Sequence, residues 1–425
     1  MKPKLFIKPI LLLFIIMNSC TPSQKNTATG NGLPDTFLAD LLTKNNSWFD
    51  SILAKKDELG IQIIYTQIDR TKGGKPKFTD HYYNVNPDTY FYPASTVKFP
   101  IAVLALQKLK ELNIPGLNMN TTMITGAEGE TQTEVTNDPS APDGRPTIAH
   151  YIKKILLVSD NDAFNRLYEF LGQEYINNTL HKMGYTDVQI IHRLSISLSE
   201  EENRHTNPVK FIDTAGKVIY EKPAEKSALI YVQRDTKMGK GFMRGDELVR
   251  QPFDFSMKNR MTLQSLHLMV RSIMFPAAMA KNQRFDLRDD DYDFLRRYMS
   301  MVPPESKSPA YLPQEFWSNY IKTIYYGTEK TTPEPHIRIF NKTGTAYGFL
   351  IDASYVADYK NNIEFMVSAI IYCNSDGIFN DDNYDYEKTG NPFFKNLGRA
   401  LYDHELKRWR LHKPDLNSFY FDYSK

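Results

Sequence analysis

Apolar positions along the chain change their spacing four times. Asp35–Leu59 carries them at helical intervals behind an Asp at its head. Gly60–Asp69, "GIQIIYTQID", reads as a strand, "TKGGKP" as a turn and "KFTDHYYNV" as the hairpin partner. From Ser95 to about Phe275 helical spacing dominates, over Thr96–Leu112, Ile148–Val158, Asp160–Leu171, Glu174–Met183 and Thr262–Met274. Strand patterns return after Pro335 in "HIRIFNKTG", "YGFLIDASYVAD" and "IEFMVSAIIYCN", and a helix over Asn396–Trp409 follows. Strands at both ends with helices between predict an α/β (α+β) fold. One domain over 35–410 is expected, its antiparallel sheet built from 35–94 and 335–410 and flanked by helices. An all-helical part over 95–334 is inserted, with an irregular insertion at 204–260 that holds the hairpin-like "PVKFIDTAGKVIYEK".

The N-terminus has another pattern. Lysines at 2, 4 and 8 precede an apolar stretch from Pro9 to Met17, and Cys20 follows small residues. This reads as a secretion signal, too short to span a bilayer comfortably. Residues 1–20 resemble a bacterial lipoprotein signal in which Cys20 becomes the lipidated first residue. A polar tether, 21–34, comes next. The expected location is across the inner membrane, lipid-anchored on the periplasmic face of the outer membrane.

Composition narrows the classes. A formal charge of +2 gives no reason to expect nucleic acid as a partner. Two cysteines, Cys20 and Cys373, exclude a disulfide framework and an all-cysteine metal site. The nine histidines show no HExxH or HxH spacing, so no metal or other cofactor is expected. Cys373, inside a buried-strand pattern, reads as an inert core thiol. A monomer is expected.

The candidate chemistry starts in "FYPASTVKFPIAVLALQKL". Ser95 is the only serine with a lysine three residues on, and the run behind it is apolar nearly all round. If a helix starts at Ser95, the hydroxyl and the Lys98 amine lie one turn apart on one face, within hydrogen-bond reach. A serine needs a neighbour to take its proton, and a buried lysine can do so once burial lowers its pKa. Alone, the pair reads better as a helix cap and a snorkelling lysine. Two more elements follow: Ser159-Asp160-Asn161 between two helical patterns, and Lys342-Thr343-Gly344 leaving a strand. A second Lys-Thr-Gly, at Lys388–Gly390, sits among loop-forming residues and reads as a loop.

This ordered set resembles the penicillin-recognising serine enzymes, above all class A β-lactamases. The resemblance implies a serine hydrolase opening the β-lactam ring through an acyl-enzyme on Ser95. Lys98 would be the activating amine, and Ser159 the relay of the proton to the leaving nitrogen. Asn161 would hold the substrate's side-chain amide, and Lys342 and Thr343 its carboxylate. Gly344 would keep the strand bare so that substrate lies along it. Thr345 would lend a backbone N–H to an oxyanion hole shared with Ser95. The implied partner is a small β-lactam or a D-Ala-D-Ala-type peptide. A D-alanyl-D-alanine peptidase or other penicillin-binding murein enzyme is the alternative, and a non-hydrolytic sensor a second one. The family's deacylating glutamate lies on a loop opening with an arginine about 34 residues past the Ser-Asp-Asn serine. Arg193 stands there, but Ser195 occupies the glutamate's offset. Glu200, Glu201 and Glu202 come later, and one of them, preferably Glu201, is expected to activate the water from a longer loop.

Overall fold

The computed structural model describes residues 36–45, 47–129 and 133–424. The signal, Cys20 and the tether lie outside them.

Five strands make the central sheet: β1 (Gln62–Arg70), β2 (Pro76–Tyr83), β3 (Ile337–Ala346), β4 (Phe349–Asp358) and β5 (Ile363–Tyr372), in the order β3-β4-β5-β1-β2. All neighbours are antiparallel. β3 and β4 are joined by Tyr347 and Gly348, both at positive φ (54° and 81°), which is the two-residue turn matching strand twist. Gly348 is required twice, since a Cβ there would also meet Asn374 Cβ at 2.6 Å.

Alternation along these strands separates two cores. Ile64, Ile68, Phe340, Ile351 and Tyr355 face one layer, which holds α3 (Lys98–Leu112), α4 (Ile148–Val158), α5 (Asn161–Leu171) and α8 (Leu263–Met274). Ile63, Tyr65, Ile339, Val356 and Phe365 face the other, covered by α1 (Phe37–Asn45), α2 (Ser47–Leu53) and α10 (Asn391–Lys407). Two more helices, α6 (Gln173–Lys182) and α9 (Asp289–Ser300), complete the first layer, and the short α7 spans Glu200–Arg204.

The α/β class and the sheet of N- and C-terminal strands are as expected. The inserted part is helical in its bulk, but it is not all-helical. Thr122–Thr125, Val209–Ile212 and Val218–Lys222 form a three-stranded sheet, and shorter pairs follow up to Asp254. Thr122–Thr125 is only four residues long, and its partner lies far along the chain, so no local period announces it. The second Lys-Thr-Gly lies in a turn of π-helix, Tyr386–Gly390, leading into α10, not in a strand. Among the described residues, no helix is long and apolar enough to cross a membrane, and no cluster of His, Cys, Asp and Glu forms a metal site.

Candidate active site

The Ser95 turn is set by backbone and burial. Ala94 takes φ +48°, a left-handed value unusual for alanine, and a 3-10 turn over Ala94–Val97 follows. α3 begins only at Lys98, three residues later than a helix from Ser95. Lys98 is fully buried at the head of a helix that is buried almost throughout. Its ammonium donates to the carbonyl of Ser159, to Asn161 Oδ1 (2.6 Å) and to Ser159 Oγ (3.3 Å). Among the described residues no hydrogen bond joins it to Ser95, because these oxygens take its donors. Burial pushes its pKa down to about 7, with Asp160 opposing. A substantial neutral fraction is therefore present at neutral pH.

Ser159 ends α4 in the left-handed conformation (φ 61°), and its N–H closes the helix onto Ile155. Asp160 then caps α5, accepting from the Ala163 N–H at 2.8 Å. The junction is thus a C-cap followed by an N-cap, and it aims Ser159 and Asn161 at Lys98. Lys342, on β3, donates to Ser159 Oγ at 2.9 Å. One hydroxyl is held between two buried ammonium groups. Burial and the nearby Lys98 charge hold the Lys342 pKa well below the usual lysine range.

Strand alternation assigns the rest of Lys342-Thr343-Gly344. Lys342 and Gly344 share the α3 face with Phe340. A Cβ on Gly344 would stand 2.9 Å from Pro93 O and Thr96 N and 3.0 Å from Ser95 N. Glycine here lets the Ser95 turn press against the strand. Thr343 turns the other way. Its hydroxyl donates to Ile351 O (2.9 Å) and lies 3.0 Å from Thr323 Oγ1, away from the lysine face. Thr345, two residues on, is exposed on this edge strand.

The loop opening at Arg193 is closed by a buried ion pair. Arg193 donates to Glu169 Oε1 (2.5 and 2.8 Å) and to His205 O (2.6 Å). Asn207 N–H reaches Glu169 Oε2 (2.5 Å), and Asn203 Oδ1 accepts from Arg193 N–H. Behind it lies a cavity of about 340 Å³, lined by Asn161, Glu169, Arg193, Ser195 and Asn207 among others. Ser195 Oγ accepts from Asn161 Nδ2 at 2.7 Å, so both ends of that amide are engaged. The three acids do not line the cavity. Glu200 pairs with Arg204, and Glu202 caps α7 with Ser199. Glu201, with its side chain 60% exposed, pairs with Lys226 and His205. The expectation that one of them reaches the site is corrected, because the loop folds them into a surface helix. Glu169 was missed; the signal for it was Arg193 itself, a cation needing an anion once buried. The insertion also contributes: Phe253 and Phe255 pack on Tyr347 (5.5 and 5.4 Å), which meets Tyr92 at 5.0 Å.

Cys373 is buried and unpaired, and burial pushes its thiol up to about 12.

A family model described as "Beta-lactamase enzyme family" matches residues 51–236, a span holding Ser95, Lys98, Ser159 and Asn161. Over this span the chain is similar to the β-lactamase enzyme family. Solved structures of that kind align with most of it. A β-lactamase from Burkholderia phymatum shares 14% identity over 86% of this chain and 98% of its own, with TM-score 0.47. A class A β-lactamase from Clostridium kluyveri shares 13% over 84% and 98%, with TM-score 0.45. A variant of PBP-A, in an acyl-enzyme complex with penicillin G, shares 14% over 88% and 98%, with TM-score 0.45. No curated protein matches the chain.

Proposed function

We propose that the protein is a serine hydrolase of the class A β-lactamase kind that opens β-lactam rings through an acyl-enzyme on Ser95 and releases the product slowly. One observation carries this: Ser159 Oγ sits between the ammonium groups of Lys98 and Lys342, beside a serine turn pressed against the Lys342 strand. Neutral Lys98 takes the Ser95 proton as Oγ bonds to the β-lactam carbonyl carbon. The backbone N–H groups of Ser95 and Thr345 receive the oxyanion. The carbon–nitrogen bond then breaks, and the nitrogen takes a proton through Ser159. Lys342 draws in the substrate carboxylate. Thr343 joins it only if its hydroxyl leaves Ile351 O.

Slow release follows from Ser195. Where the class A resemblance leads one to expect a carboxylate, a hydroxyl is occupied by Asn161. The same observation favours a second reading, a D-alanyl-D-alanine peptidase that β-lactams trap. Purified protein mixed with penicillin G should carry a mass adduct on the Ser95 peptide that outlasts a chase without drug. A label that survives Ser95→Ala, or the absence of both adduct and hydrolysis, would refute the assignment. Release of D-alanine from an acyl-D-Ala-D-Ala peptide distinguishes the second reading. We also propose that Cys20 is lipidated and holds the protein at the periplasmic face of the outer membrane. Globomycin should then accumulate the uncleaved precursor.

A further inference from the structure

We infer that the end of α10 is a second membrane contact, docking the folded domain flat on an anionic phospholipid surface. The inference rests on the proposed Cys20 anchor.

The patch is Leu406, Trp409 and Leu411, which are 44%, 78% and 71% exposed. Leu406 lies in the last turn of α10, and Trp409 and Leu411 follow just past its end, where Arg408 turns the backbone extended. A tryptophan and two leucines together in water are costly for a soluble surface. At a bilayer they fit, since an indole settles at the headgroup level and leucines reach the acyl boundary.

The exposure is built, not frayed. Arg408 and Arg410 flank Trp409, and both turn inward to the buried Glu405. Arg408 also reaches Asp69 (2.5 Å) and Ile68 O (2.9 Å), and Arg410 reaches Glu405 O (2.7 Å). With both neighbours tied to the core, the side chain between them is held outward. Lys407 and Lys413 are exposed beside it and meet no acid in a salt bridge among the described residues, so they supply charge for anionic headgroups.

The occupant follows from where the tether joins. The first described residue is Thr36, and the Phe37 ring lies 5.2 Å from that of His404 on α10. His404 lies in the last turn of α10, and Trp409 follows two residues past the helix end. The chain running to Cys20 therefore leaves the domain at the end that carries the patch. Sixteen residues reach at most about 55 Å when fully extended. An anchored domain thus stays close to the bilayer, and a contact too weak to hold it alone is populated.

The test reconstitutes the lipidated chain in vesicles of phosphatidylcholine and phosphatidylglycerol containing brominated lipid, and follows tryptophan emission. Quenching is expected in the wild type and should vanish in Trp409→Phe, which keeps the apolar ring but removes the reporter. For the unlipidated Cys20→Ser full chain, Trp409→Asp with Leu411→Asp should raise the lipid needed for half-maximal binding at least about tenfold. Equal quenching of wild type and Trp409→Phe, with both sedimenting on vesicles, overturns the docking and leaves the anchor standing. Failure of the wild-type chain to sediment at all removes both. A Cys20→Ser chain that sediments and loses quenching only with Trp409→Phe supports docking without the anchor.

Discussion

Lys98→Met should make the protein more stable while disabling it. Lys98 is fully buried, and its pKa falls from 10.5 to about 7. A drop of about 3.5 units at about 1.36 kcal/mol each means that the charged form costs the fold about 5 kcal/mol below neutral pH. Methionine has similar length and no charge. Its substitution removes that cost, but leaves Ser159 O and Asn161 Oδ1 without their donor, a loss of about 1–3 kcal/mol. The net gain is about 2–4 kcal/mol, or several degrees in Tm. The pH dependence separates this cause from simple repacking. Unfolded Lys98 keeps its proton up to about 10.5, while in the fold it loses it near 7. Between these values the unfolded state binds more protons, so wild-type stability rises with pH. The advantage of Lys98→Met should be largest below about pH 7 and shrink steadily towards pH 10. Paired urea unfolding curves across that range measure it, with acylation by penicillin G falling several orders of magnitude. A variant no more stable than wild type near pH 6, or a gap that does not narrow on raising the pH, refutes the reasoning.

Gly344→Ala places a methyl 2.9–3.0 Å from three backbone atoms of the Ser95 turn, so the turn must move. Acylation should fall at least about 100-fold for about 1–3 kcal/mol of stability, and a wild-type rate in stopped-flow would contradict the close approach. Glu169→Gln leaves Arg193 buried without an anion and should cost about 3–5 kcal/mol in urea unfolding, with faster proteolysis of 193–207. Single Glu200→Gln, Glu201→Gln and Glu202→Gln variants should turn over within about twofold of wild type, since each exposed pair contributes little. Cys373 should resist thiol reagents until the protein unfolds, because its thiol is buried and held up at about 12.

The three short motifs were legible because each is local. Ser159-Asp160-Asn161 had to lie at a helix junction, since a left-handed cap and a capping aspartate are adjacent in sequence. The sheet was legible from the short, largely apolar runs of β1, β4 and β5, which are buried nearly throughout. What escaped depends on partners far away in the chain. That Lys98 turns to Ser159 and not to Ser95 follows from α4 and α5 arriving beside it. The facing of Thr343 follows from the register of β3 on β4. Glu169 reads locally as one more charge on α5, and only Arg193, 24 residues later, makes it structural. α9 was readable, with Tyr292, Leu295 and Met299 at helical spacing, but three leading aspartates mask it as a polar loop, although they suit a helix N-terminus.

The pairing of β1 with β5 sets a timetable for this protein. Gln62–Gln67 lies against Phe365–Ile370, so the centre of the sheet cannot close until nearly the whole chain is available. Such distant pairing is slow, because a long loop must be ordered before its contacts stabilise it. The Ser95 turn in turn leans on β3, near residue 344. A nascent chain therefore holds its serine without the strand that positions it. It stays chemically silent until the residues around 344 are in place, and the candidate reactive centre is among the last parts to be assembled.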